Sequence, residues 1–296
     1  MVARLDAVFR DFDSVVRATE AERGELLDLR EGVVSSVLAS GVALAAVDAG
    51  SFRRGTEVGG SSHWDVLVVL RTERRLSLAQ AVAALRDAVS GQLADIETGV
   101  DSIVARFGAA DPTGVRLIPA IDVGSRAASD AVLVPDATRR WVAARPAARD
   151  ALLDRIDTDG ALRRLIRLTL TWKHRHAVPL SSYWLETAVI RQALQQRSFD
   201  PLWDLCWILE QAVDDDLSAL PDPTSPTGSQ PVRPAPTLAR RIEVQYVVEA
   251  AARRVRDAVD AYLDDDMETV TTALRSLLGD EVPGLDAPGL DAPIGE

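Results

Sequence analysis

Apolar residues recur at helical spacing along the first forty positions. Leu5, Val8, Phe9, Phe12, Val15 and Val16 form one stripe over residues 4–18. Leu26, Leu27, Val33, Val34, Val37 and Leu38 form a second over 21–39, so two amphipathic helices are predicted to lead into Gly50. The pattern then changes. Val66 to Leu70 is a pure Val/Leu run without polar alternation, which predicts a strand buried on both faces. A helix follows over 77–94, carried by Leu78, Val82, Leu85, Val89 and Leu93. Strands are predicted at 102–107 and 115–121, joined by Asp111-Pro112-Thr113-Gly114, a turn by composition. Helix, turn, strand, helix, strand, strand describes an α+β lobe with a small mixed sheet.

From about residue 145 the pattern is nearly all helical, with helices predicted at 147–156, 160–177, 181–197, 201–218, 238–262 and 266–279. The Pro/Ser/Thr/Gly-rich stretch 222–236 reads as a mobile loop. GLDAP occurs twice, at 284–288 and 289–293, too few copies for a solenoid and more in keeping with a flexible tail. The predicted organisation is an α/β lobe with N-terminal helices over 1–145, a helical lobe over 146–284 with a spine helix at 160–177, and a tail over 285–296. A cleft is expected between the lobes.

Composition narrows the function classes. At 296 residues the chain has room for two cores, and 47% hydrophobic with 26% charged residues is ordinary for a globular protein. A net charge of −12 opposes non-specific binding to nucleic-acid backbones. Cys206 is the single cysteine, so no disulfide forms within the chain, and it reads as a buried small hydrophobe. With no basic, apolar leader, this predicts a cytoplasmic protein. No apolar run approaches the roughly 20 residues of a membrane helix, so no membrane association is expected.

Residues 50–70, GSFRRGTEVGGSSHWDVLVVL, carry the chemistry. A Gly-Ser turn offers backbone N–H groups and a hydroxyl to phosphates. Asp65 then enters the Val/Leu strand. Carboxylates at positions 63 and 65 would point the same way off that strand, but position 63 is His63.

The segment resembles the Gly-Ser to Asp-x-Asp region of the cGAS/DncV-like nucleotidyltransferases (CD-NTases), within the polymerase-β-type superfamily. RLIPAI (116–121) is similar to the family's third-carboxylate strand, and VLVPDATRRW (132–141) and LIRLTLTWKHRHAVPLSSYWLETAVI (165–190) look like its linker and spine helix. LPDPTSPTG (220–228) and LLGDEVPG (277–284) resemble its C-terminal segments, so the likeness spans about residues 20–284. It implies a bilobed fold, a place in bacterial antiphage signalling, and oligonucleotide synthesis from NTPs with Mg²⁺ in active members. Carried over by position, Gly50 and Ser51 match the phosphate turn, Asp65 the second carboxylate, and Ser182 and Tyr183 the groups near triphosphate and base. His63 and Arg116 replace the first and third carboxylates. Leu170 stands at the triphosphate-lysine position, with Lys173 three residues on.

Nucleotidyl transfer of this kind uses two divalent cations about 4 Å apart. Mg²⁺ takes hard oxygen ligands, whereas imidazole suits Zn²⁺ or other transition metals. Arginine is a permanent cation and would repel a metal beside Asp65. The expectation is therefore a pseudoenzyme with no functional catalytic residue and no metal cofactor, in which an Arg116–Asp65 ion pair fills the former metal site. Gly50, Ser51, Arg53, Arg54, Lys173, Ser182 and Tyr183 are the candidates for holding a nucleotide or oligonucleotide. Two alternatives stay open: an active synthase in which Asp65 binds Mg²⁺, and a scaffold that engages a protein partner of a defence system and no nucleotide. Several residues have plainer readings. His174 and His176 face different directions on a helix and cannot share a metal. Trp172, Trp184, Trp203 and Trp207 read as core, and the Asp214–Asp216 and Asp264–Asp266 runs as helix ends.

Overall fold

The structure, a computed structural model, describes residues 2–72, 76–90, 95–108, 111–123, 130–196 and 198–284. The tail predicted at 285–296 lies outside them. The chain divides into two compact units, neither contiguous: 1–17, 156–219 and 237–296 form one, and 18–155 with 220–236 the other. A single boundary at 145 does not describe this division.

The first unit is helical. It contains α1 (Val2–Val16), α6 (Ala161–Arg175), α7 (Ser182–Ala193), α8 (Pro201–Asp214), α9 (Leu238–Leu263) and α10 (Met267–Leu278). Local chemistry sets their ends. Asp200 accepts hydrogen bonds from the Leu202 and Trp203 backbone N–H groups, and Pro201 occupies the first turn of α8. The predicted spine is α6, whose Leu162, Leu165, Ile166, Leu168, Leu170 and Trp172 are buried. α1 packs against it. There Asp13, 4% exposed, accepts from the buried Arg167 guanidinium and, at 2.9 and 2.7 Å, from Arg17. Trp172 and Trp184 are core as predicted, but Trp203 and Trp207 are 38% and 41% exposed. They occupy the outward face of α8, whose inward face is supplied by Leu202, Leu205, Cys206, Ile208 and Leu209.

The second unit is α+β. It contains α2 (Glu20–Ala39), β1 (Ala43–Ala49), α3 (Gly50–Arg54), β2 (Trp64–Leu70), α4 (Leu78–Val89), β3 (Ile96–Thr98), β4 (Ile103–Ala105), β5 (Val115–Asp122), β6 (Val132–Pro135), β7 (Trp141–Ala144), α5 (Pro146–Ile156), β8 (Leu220–Asp222) and β9 (Gln230–Val232). The sheet runs β1-β2-β5-β4-β3, with β6 and β7 continuing from the far end of β5. β2 and β5 are parallel, and every other pairing among the described strands is antiparallel. Val66, Val68, Leu70, Val115 and Leu117 face α2 and α4 in one core. The opposite face carries Ala49, Leu67, Val69 and Ala120, packed with Ile118, Val132 and Val134. Both faces of β2 are thus covered, as its apolar run predicts.

Two segments differ from expectation. Residues 43–49 form an edge strand ahead of Gly50, and 220–232 form a hairpin where a mobile loop was expected. That hairpin is organised by Asp222, which accepts from the Thr224 backbone N–H at 2.8 Å and its hydroxyl at 2.7 Å. Asp222 also lies 3.6 Å from the buried guanidinium of Arg149 on α5.

Candidate functional site

The site is built where β1, β2 and β5 present equivalent edges. Ala49 is registered against Asp65, and Asp65 against Arg116. Side chains alternate across a sheet, so Asp65 and Arg116 emerge beside each other, on the face shared with Leu67 and Ile118. Arg116 closes a bidentate pair, donating from Nε to Oδ1 at 2.8 Å and from Nη2 to Oδ2 at 2.7 Å. The Asp65 side chain is 10% exposed and that of Arg116 39%. The Asp65 charge raises the Arg116 pKa above its already high ordinary value, against the effect of burial.

Gly50 follows β1 directly and begins α3. Its φ of 70° lies in the left-handed region, and a Cβ there would sit 2.2 Å from Asp65 Oδ2. Glycine is required twice over, by backbone conformation and by the carboxylate against it. Ser51 is the next residue of α3, and its carbonyl accepts from the Thr56 N–H at 2.9 Å. Arg53 donates to Asp150 at 3.1 Å, and Arg54 is buried.

His63 immediately precedes β2. Its Nδ1 is buried without a hydrogen-bond partner among the described residues. Burial first, then the Arg116 cation, lowers its pKa below the ordinary histidine value, with Asp65 opposing. The imidazole is therefore neutral at pH 7. Because its folded pKa is depressed, the stability tied to this neutral form is present above the unfolded value of about 6.5 and is lost as pH falls through it toward the folded value. A His63→Gln variant is expected to show a flatter acid limb in denaturant melts as the pH falls below about 6.5. An unchanged limb would mean that His63 titrates as freely in the folded protein as in the unfolded chain.

The sequence reading missed what secures the loop between α3 and β2. Phe52 and Trp64 stack with ring centroids 5.1 Å apart, and the Arg23 guanidinium lies 5.5 Å over Phe52. Arg23 also donates to buried Glu57, while Trp64 Nε1 and Arg30 both donate to Asp48. Paired cations on α2 thereby hold the loop. The one signal available beforehand was an aromatic at position 64, between His63 and Asp65.

Lys173 lies in the last turn of α6, and Ser182 and Tyr183 begin α7, all in the helical unit. Leu170 is 1% exposed in that unit's core and presents no polar group.

The donor set does not fit a two-Mg²⁺ centre. Of positions 63, 65 and 116 only Asp65 is a carboxylate, and both of its oxygens are engaged by Arg116. Among the described residues no group of three or more His, Cys, Asp or Glu side chains is arranged to hold a metal. What the arrangement offers is a guanidinium fork, a neutral imidazole and a glycine-opened turn, groups that bind and orient an anion.

No family model matches the sequence, and no curated protein matches it. Solved structures do. The chain superposes on Escherichia coli MS115-1 CdnC, solved with ATP, at a TM-score of 0.70 and 12% identity, covering 94% of this chain and 98% of that one. The Bradyrhizobium diazoefficiens CD-NTase CdnG, in complex with GTP, gives 0.70 at 14% identity over 94% and 96%. Vibrio cholerae DncV cyclic AMP-GMP synthase, in complex with the linear intermediate 5′ pppA(3′,5′)pG, gives 0.60 at 14% over 96% and 88%. No described helix is long and apolar enough to cross a membrane. Over nearly its whole length the chain has the α+β nucleotidyltransferase fold of the CD-NTases.

Proposed function

We propose that the chain is a pseudoenzyme of the nucleotidyltransferase class. In this reading it performs no two-metal nucleotidyl transfer and holds a nucleotide or oligonucleotide without metal, at the face formed by Gly50, Ser51, His63, Asp65 and Arg116. The Arg116–Asp65 pair carries the proposal. A guanidinium that cannot lose its proton sits within hydrogen-bond distance of both Asp65 oxygens. A divalent cation would have to displace that charge and then find oxygen ligands that His63 does not supply.

The proposed setting is bacterial antiphage signalling, in keeping with the resemblance in the sequence. A second reading, a protein-binding scaffold, draws on E. coli CdnC, which was also solved as a CdnC:HORMA-deltaN complex. The test is enzymatic. Purified protein with Mg²⁺ or Mn²⁺ and all four radiolabelled NTPs is expected to yield no oligonucleotide above a Ser51→Ala, Asp65→Ala control. Robust product that disappears with Asp65 would overturn the proposal in favour of an active synthase.

A further inference from the structure

We infer that this face is matched to a phosphodiester, the linkage within an oligonucleotide, and not to a nucleoside triphosphate. The inference rests on the metal-free reading above and names the ligand class that reading leaves open.

Charge decides between the two. Four cations around the site are met by carboxylates: Arg116 by Asp65, Arg53 by Asp150, Arg30 by Asp48 and Arg23 by Glu57. A triphosphate brings several negative charges, which two divalent cations offset in the metal-dependent reaction. Without that offset the added charges would face Asp65, whose side chain is 10% exposed and poorly screened by water. A phosphodiester brings a single negative charge per linkage.

Arg116 has a free edge for such a charge. Asp65 engages Nε and Nη2, while Nη1 makes no hydrogen bond to a described residue. The guanidinium carries five N–H groups. Its outer edge, one N–H each from Nη1 and Nη2, is therefore left over and matches two phosphate oxygens. The Arg116 side chain is 39% exposed, against 10% for Asp65, and the inner pair leaves that edge out of its hydrogen bonds. Asp65 thus has two effects. It fixes the direction of the fork, and its charge penalises ligands in proportion to their own charge.

Calorimetry on the full chain in EDTA tests this with the dinucleoside monophosphates ApA and GpG, the corresponding cyclic dinucleotides, ATP and GTP. At least one diester probe is expected to bind about tenfold more tightly than either triphosphate, a difference of one decade in Kd. Asp65→Asn, which keeps shape and removes charge, is expected to narrow that gap by tightening the triphosphates most. Arg116→Ala is expected to abolish diester binding, and Arg116→Lys, a point charge without the fork, to weaken it. Triphosphates binding more tightly than every diester would overturn the inference and leave metal-free nucleotide binding standing. So would a gap unchanged in Asp65→Asn. Binding of none of the probes would overturn both.

Discussion

A chain carrying His63→Asp and Arg116→Asp is expected to acquire a divalent-cation dependence that is not expected of the natural chain. Asp65 and Arg116 are directly registered on parallel strands, whose spacing is about 4.8 Å. Position 63 immediately precedes the strand, and the charges of both Asp65 and Arg116 act on the side chain there. Two substitutions therefore converge three carboxylates on one face, the donor set that a hard cation requires. In EDTA these like charges repel next to a nearly buried Asp65, and the melting temperature is expected to fall below that of the natural chain. Millimolar Mn²⁺ is expected to raise the variant's melting temperature by about 3 °C or more, corresponding to roughly 1 kcal/mol of linkage. The natural chain is expected to be unmoved. A variant equally indifferent to Mn²⁺ would show that the three positions do not converge. Recovery of synthesis is not part of the expectation, because Leu170 is in the core of the helical unit.

Replacing Arg167 by alanine is expected to destabilise the helical unit by about 3 kcal/mol, toward the lower end of what breaking a buried ion pair costs. Arg167 is 1% exposed and donates to Asp13, which is 4% exposed. Removing the guanidinium leaves a cavity and a buried carboxylate, while Arg17, about half exposed, still reaches Asp13 and limits the loss. The joint replacement Asp13→Leu with Arg167→Met is expected to regain most of the stability, because it removes both charges and refills the volume. Urea melts of the two singles and the double decide this. A double variant as unstable as the sum of the singles would mean that the pair contributes nothing through its coupling.

The parts of the molecule legible in the sequence are those set by local pattern. The helices of the second half follow from 3.6-residue periodicity, and the β2–β5 pair from apolar runs too short for helices. Asp65 and Arg116 are readable as neighbours because the family resemblance puts both at positions that meet around the metal in active members, and the parallel register of their strands is what the structure adds. What is not legible is decided by partners distant in sequence. Ala43, Ala45 and Ala46 have little intrinsic strand preference, and their strand state comes from pairing with β2. The β6–β7 hairpin passes for a linker because its four-residue strands are too short to show alternation. The Phe52–Trp64 stack depends on how the loop after Gly50 folds back, which composition does not encode. The allegiance of α1 is likewise set by its packing on α6, more than 140 residues away in sequence.

The interleaving of the two units has a consequence for how the protein is made. The chain crosses between them at 17/18, 155/156, 219/220 and 236/237. A ribosome therefore delivers α1 long before the helices it packs against. Five strands of the main sheet, with β6 and β7, are complete before the hairpin that belongs to the same unit exists. Until residue 222 emerges, the Arg149 guanidinium, 1% exposed in the finished protein, lacks the Asp222 carboxylate that lies beside it there. Completion is thus withheld until late in synthesis, and a contiguous fragment such as 18–155 would reproduce a waypoint of translation and not a domain.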